Sequence, residues 1–268
     1  YEGTSCNADG TLLTSINNDH DALNTYILRM ADNGLILGQR LCEWCANAPV
    51  LEEETALMNT SLDLFGQARN WLNYAVDRDQ RLQDCDAITM LRDERSYLNL
   101  LICEQDNGHF ADTMARHYLF DVWHRLTLEE LCHSHDETIA AIAAKSVLEV
   151  RYHEQRSRNW VLRLGDGTQL SHERMQTAIN NIWPYVAEMF DQDQLEMELM
   201  AQGIAADQTI IAKQWHDLVA QTLIEATLQT PPESYNQMGG KQGLHTESLG
   251  IMLAEMQSLY RAHPGATW

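Results

Sequence analysis

Apolar residues recur along the first two thirds of the chain at alternating steps of four and three, the spacing that lines one face of an α-helix. Leu23, Ile27, Met30, Gly34, Leu37, Leu41 and Trp44 make the first stripe, and Asn47-Ala48-Pro49 ends it. A second stripe runs Leu51, Thr55, Met58, Leu62, Phe65, Arg69 and Leu72. The short connection between the two predicts an antiparallel pair. After the turn signal Asp106-Asn107-Gly108, a third stripe carries Phe110, Met114, His117, Asp121, His124, Leu128 and Leu131. The fourth holds Ile139, Ala143, Ser146, Val150, His153, Ser157, Trp160 and Leu164, and stops at Gly165 and Gly167. Helices of about 20 residues reach roughly 30 Å, so these four predict a large helical bundle.

Shorter helices follow. Ser171 and Glu173 open one that holds Met175, Ile179, Ile182 and Val186 and should bend near Pro184. Asp191 is placed to cap a short helix ending by Gly203, and Asp207 another, with Ile211, Trp215, Leu218 and Leu228 inward and Pro231-Pro232 beyond its end. The loop Gly239-Gly240-Lys241-Gln242-Gly243 leads to a last helix with Leu249, Leu253, Met256 and Leu259. No stretch alternates with period two for long enough to argue a strand. The fold class is therefore all-α, a four-helix bundle core with additional C-terminal helices.

At 268 residues, with no Pro/Gly/Ser-rich linker, the chain reads as one domain over 23–268, preceded by a loose polar extension over 1–22. A formal net charge of -21 argues against a nucleic-acid or anionic-membrane partner and fits a soluble protein that meets a basic patch on a partner. No run of 18 or more apolar residues exists, nothing points to export, and the cytoplasm is the expected compartment. The six cysteines are scattered over helical patterns and read as packed thiols of a reducing compartment. Cys42-Glu43-Trp44-Cys45 matches the Cys-x-x-Cys spacing but continues a helix, and its partners for a zinc site would have to be Cys132, His133 and His135.

The bundle interior is where chemistry would sit. Di-iron carboxylate proteins place one Glu on each of two helices and Glu-x-x-His on each of two others, because i and i+3 side chains share a helix face. Asn59, Asp63, Gly66 and Asn70 form one polar face, expected to look into an internal cavity. In it Asp63-x-x-Gly66 has the geometry of such a motif, but glycine has no ligand atom. Glu149 is followed at three by Tyr152 and at four by His153, so one ligand is missing there too. Asp121 with His124 reads as a hydrogen-bonded polar pair, and Glu149 with His153 as an i, i+4 pair. Arg92, Asp93, Glu94 and Arg95 read as a solvated or interfacial ion-pair cluster. The glycine loop at 239–243 reads as a turn, with a phosphate nest as its second use.

Seven blocks in one order carry a resemblance: Leu37 to Leu41, Leu62 to Asn70, Arg92 to Arg95, Phe110 to Thr113, Glu149 to His153, Arg163 to Thr168 and Gly239 to Glu247. Through them the chain, from about Leu23 to the tail Pro264-Gly265 and Trp268, resembles the C subunits of bacterial 1,2-phenylacetyl-CoA epoxidases. The resemblance implies a ferritin-like, noncatalytic subunit. In that family a related A subunit holds the di-iron centre and inserts oxygen into the ring of phenylacetyl-CoA. Electrons come from NADPH through a reductase subunit, and a B subunit also belongs to the assembly. It further implies no cofactor and no metal on this chain, with Asp63, Gly66, Glu149 and His153 as vestigial positions. Contacts to the coenzyme A thioester are implied at Ser96, Tyr97, Leu98 and Asn99, and at Met197, Glu198 and Leu199, where Glu198 sets a negative charge beside an anionic ligand. The competing reading is a metal-dependent oxidoreductase in its own right, built on Asp63, Asp121, Glu149 and His153.

Overall fold

Asp21 accepts a hydrogen bond from the Leu23 backbone and so starts the first helix, as a cap with a short polar side chain should. A computed structural model describes residues 21–232, 235–264 and 266, in which ten α-helices and no strands occur. The expected extension over 1–22 therefore falls outside the described residues as far as residue 20, and so do Gly265 and Trp268 of the tail.

Helices α1 (Ala22–Cys42), α2 (Leu51–Arg78), α5 (Phe110–Leu131) and α6 (Glu137–Gly165) are the four long elements. Helix α1 packs along α2, α5 along α6, and α2 meets α6. Cross-helix partners fix the directions. Glu53 meets Arg156 and Trp160, Asp63 meets His153, Gln67 meets Glu149 and Tyr74 meets Asp136. Numbers rise in α2 as they fall in α6, so the two are antiparallel. Asp121 with Ser157, and Arg125 with Glu154, set the same relation between α5 and α6.

The α2 face is turned from the one its apolar stripe predicts. Leu57, Ser61, Leu64, Ala68, Trp71 and Ala75 point inward, whereas Leu51 and Leu62 are exposed. The reason lies in α1. A Cβ on Gly34 would stand 3.0 Å from the Leu64 carbonyl and one on Gly38 3.0 Å from the Phe65 ring, so the two backbones approach where α2 offers small or polar residues. Asn59 and Gly66 are consequently exposed, and the polar face expected to line a cavity looks outward.

Two further sequence expectations change, and two helices were not foreseen. Helix α7 (Gln169–Ile182) does not bend at Pro184 but ends before it, in a 3₁₀ turn over Trp183–Tyr185. Asp193, not Asp191, caps α8 (Gln194–Ala201), accepting from the Glu196 N–H. Two short helices, α3 (Cys85–Leu91) and α4 (Leu101–Glu104), are too brief to give a periodic signal. Helices α9 (Gln208–Glu225) and α10 (Glu247–Ala262) follow the reading, although Leu259 is exposed. Of the described cysteines, Cys103 is the buried one and Cys45 is exposed, so the thiols are not uniformly core groups.

Candidate functional site

Two regions hold the residues singled out by sequence. The first is the row of polar side chains between α2, α5 and α6. His153 is buried on α6, and its Nε2 lies 3.0 Å from Asp63 Oδ2 across the seam. One turn along, Gln67 Nε2 donates to Glu149 Oε2 at 2.8 Å. The expected i, i+4 pairing of Glu149 with His153 is replaced by these two cross-helix bonds, because each side chain finds a partner on α2 before it finds the other. Asp121 accepts from Ser157 Oγ at 2.8 Å and has His117 Nδ1 3.7 Å from its other oxygen, so it pairs with these rather than with His124.

His124 is buried against Phe120 and Trp123, and its Nδ1 has no partner. Burial pushes this imidazole down to about 4, with the Asp121 charge opposing the shift and His153 adding to it. Burial also lowers His117. The unfolded imidazole titrates near 6.5. Between that value and 4 the unfolded chain takes up a proton that the folded chain refuses, so stability present above pH 6.5 is lost as pH falls through about 4. The gap amounts to roughly 3 kcal/mol. Denaturation midpoints at pH 7 and pH 4.5 should therefore fall less in His124→Phe than in the native chain; an equal fall would remove His124 as the cause.

A carboxylate-bridged metal pair does not fit these residues. Asp63 and Glu149 are each tied to a single partner, Gly66 is on the outer surface with nothing within 4 Å of an added Cβ, and Asp121 is held by Ser157. Among the described residues, no three His, Cys, Asp or Glu side chains are grouped to hold a metal ion.

The second region joins the two segments assigned to the thioester. Tyr97, Leu98 and Asn99 are buried inside the chain. The Tyr97 hydroxyl donates to the Thr89 carbonyl, and burial raises its pKa to about 12. Asn99 Nδ2 donates to Glu104 Oε2 at 2.9 Å, and Ser96, also buried, gives its carbonyl to Arg92. In the other segment Met197 and Glu198 are exposed and Leu199 is buried. Glu198 accepts from Gln194 Nε2 at 2.8 Å.

The glycine loop brings these segments together. Gly240 passes so close to Asn99 that a Cβ there would lie 2.1 Å from the Asn99 carbonyl oxygen, and Gly243, at φ +74°, passes the Arg95 carbonyl in the same way. Lys241 Nζ binds Glu196, the residue before Met197, at 3.0 Å, and Glu196 also takes Arg29 Nη1 at 2.8 Å. The loop does form a nest, but a carboxylate of the same chain fills it: Glu188 accepts from the N–H groups of Gly239 at 2.8 Å, Gly240 at 2.7 Å and Leu101 at 2.6 Å. Arg92, expected at the surface, is fully buried and paired with Asp32 at 2.9 and 2.5 Å. His245 bridges Glu104 Oε2 and the Tyr97 carbonyl, at 2.8 Å each; burial works against its charged form, but the Glu104 bond outweighs it and raises the pKa. Sequence reading missed Asp32, Glu104 and Glu188. Each is a lone acid within an apolar run, an isolated signal that becomes informative once Arg92 and the glycine loop are known to be inside.

Residues 12–268 match the family model described as phenylacetic acid catabolic protein. Over 246 residues the chain is 49% identical to the C subunit of the 1,2-phenylacetyl-CoA epoxidase of Escherichia coli (strain K12), covering 92% of this chain and 99% of that protein. The chain belongs to the phenylacetic acid catabolic protein family. Membership accounts for the helical frame and for the blocks quoted above. Within this family member, Arg92 and the Gly239 to Glu247 block are the parts that lock the C-terminal helices onto the bundle, and the Leu62 to Asn70 and Glu149 to His153 blocks form the α2–α6 seam. None of its described helices is long and apolar enough to cross a membrane.

Proposed function

We propose that this chain is a noncatalytic, cytoplasmic C-type subunit of a multicomponent phenylacetyl-CoA epoxidase. It pairs with a di-iron A subunit and keeps it assembled, beside a B subunit and a reductase that draws on NADPH. The observation that carries this reading is the state of the bundle interior. Asp121, Glu149 and Asp63 are held one by one by Ser157, Gln67 and His153, and among the described residues no three metal-binding side chains are grouped. The outer side of the seam supports a partner surface. Leu62, Leu148 and Tyr152 are exposed there, each next in sequence to a member of the Asp63–His153 or Gln67–Glu149 pair. Exposed apolar groups of this kind mark packing faces.

For the thioester, Met197 and Glu198 are the exposed residues of the two assigned segments and the ones open to a ligand, whereas Ser96 to Asn99 and Leu199 are buried. The reading of the chain as an oxidoreductase has one observation on its side, the unpartnered ring nitrogens of His117, His124 and His153. Reconstitution separates the two. With A, B and reductase subunits present, Glu149→Ala should leave phenylacetyl-CoA turnover within about twofold of the native complex, because its loss removes one partly exposed hydrogen bond. Abolished turnover with an intact complex would favour the oxidoreductase.

A further inference from the structure

His117, His124 and His153, the buried histidines of the bundle, each leave one ring nitrogen without a partner, as a neutral imidazole can. His245, between the glycine loop and α10, does not. Its side chain and that of Glu104 are both fully buried. Nδ1 stands 2.8 Å from Glu104 Oε2, and Nε2 stands 2.8 Å from the Tyr97 carbonyl oxygen. A carbonyl oxygen only accepts, so Nε2 carries a hydrogen. Nδ1 then either carries a second hydrogen or takes one from a protonated Glu104. In both cases the pair holds one proton more than a neutral imidazole beside a carboxylate. Glu104 decides where it sits: Oε1 accepts the Thr246 N–H at 2.6 Å and Oε2 accepts Asn99 Nδ2 at 2.9 Å, bonds that favour the carboxylate. The ring is an imidazolium.

The other charges around it are settled among themselves. On α1, Asp32 is paired with Arg92, and Arg40 gives Nε to the Glu104 carbonyl while it holds Glu43 and Asp106. Glu188 takes three backbone N–H groups, and Lys241 is bonded to Glu196. The Tyr97 and Tyr185 phenols are raised by burial and stay neutral while the ring titrates. On the solvent side Glu94 lies against Gly250, and Arg95 and Glu247 are exposed.

The bonds of His245 and Thr246 fasten the start of α10 to Tyr97 and to the end of α4. The other end of α10 is fastened separately, by Gln257 to the carbonyls of Thr89 and Arg92 and by Arg261 to those of Met90 and Leu91. Loss of the His245 proton would set two lone pairs face to face at 2.8 Å, against either Glu104 or Tyr97, in a site closed to water. An unmatched buried acceptor is costly, so the start of α10 must move, whereas the amide and guanidinium at its far end have no proton to lose at these pH values.

We propose that His245 and Glu104 form a proton-operated latch, which holds the start of α10 on Tyr97 and α4 while the proton is present and releases that end alone when it leaves. An imidazole in the open chain titrates near 6.5. In the closed latch burial works against the charged form, but the Glu104 bond outweighs it, and the proton is kept to higher pH. The latch is therefore at full strength below pH 6.5 and weakens as pH rises through its closed value, the open fraction growing by about tenfold per pH unit between the two.

Hydrogen exchange between about pH 6 and 8.5, on the native chain and on His245→Gln, tests this. In the native chain, protection of the Thr246 N–H and the first turn of α10 should fall above pH 6.5 by up to about tenfold per unit, and the turn around Gln257 should stay better protected throughout. In His245→Gln the start of α10 should be less protected at pH 6 and insensitive to pH. A native profile that does not change with pH, or equal protection at the two ends of α10, would overturn the latch. Should the variant not fold, ring 15N shifts of the native histidines decide: one imidazolium signal should outlast those of the exposed histidines as pH rises, and its absence would overturn the latch as well.

Discussion

Asp32→Ala should lower stability by about 3–5 kcal/mol, the usual cost of removing one partner from a buried ion pair. Asp32 and Arg92 are both fully buried, and Asp32 also accepts the Leu98 N–H at 2.9 Å. Without the carboxylate, the guanidinium keeps its bonds to the carbonyls of Ile88 and Ser96 and its place 4.2 Å from the Tyr97 ring. Its charge is then uncompensated in a site that water does not reach. Native proteins have only about 5–15 kcal/mol of stability, so the loss should appear as a large fall in the urea midpoint and in soluble yield. Asp32→Asn should fall between the native chain and Asp32→Ala. Asp93→Ala, which breaks the exposed pair with Arg261, is the control and should cost under about 1 kcal/mol. Equal effects of Asp32→Ala and Asp93→Ala would show that the buried pair does not hold the 92–99 segment to α1.

Glu188→Ala should be nearly as damaging and more local. It orphans three N–H groups at once, those of Leu101, Gly239 and Gly240. One unsatisfied buried donor costs about 1–3 kcal/mol. The three donors share one acceptor and their costs do not simply add, so about 3 kcal/mol in total is expected. The loss should concentrate in the glycine loop, whose fit against Asn99 and Arg95 leaves no room for a shifted backbone. Hydrogen exchange reports this directly. Faster exchange should spread from Gly239 and Gly240 to the start of α10 while the α1–α2 and α5–α6 amides stay protected. Uniform acceleration across the bundle would instead place Glu188 in the global core.

The parts of this fold legible in the sequence were those with long periodic runs. Helices α1, α5 and α6 follow their stripes, and Asp207 caps α9 as expected. Helix α2 exists where its stripe places it, but its face is turned, because Leu51 and Leu62 count as core in any pattern of apolar positions and yet stand in solvent. The small residues that do pack are chosen by the close approach of Gly34 and Gly38 on α1, a tertiary fact with no local signature. The interior row shows the same limit. Spacing singled out Gly66 after Asp63 and the offset of His153 from Glu149, but it paired Glu149 with His153 along one helix, whereas each bonds across to α2. Arg92 has the composition of a surface ion-pair cluster. Only the arrival of Asp32 from sixty residues earlier places it inside. The Ser96 to Asn99 segment came from resemblance, and its burial is a property of the packed loop that no local pattern contains.

The measurement that bears most directly on the noncatalytic reading is metal content. The chain, purified alone and refilled anaerobically with ferrous iron, should hold well below one iron, manganese or zinc atom per chain after desalting. An A subunit treated in parallel should retain its iron. Close to two irons per chain, lost on His153→Ala with the fold intact, would contradict the reading and place an oxygenase centre among Asp63, Asp121, Glu149 and His153.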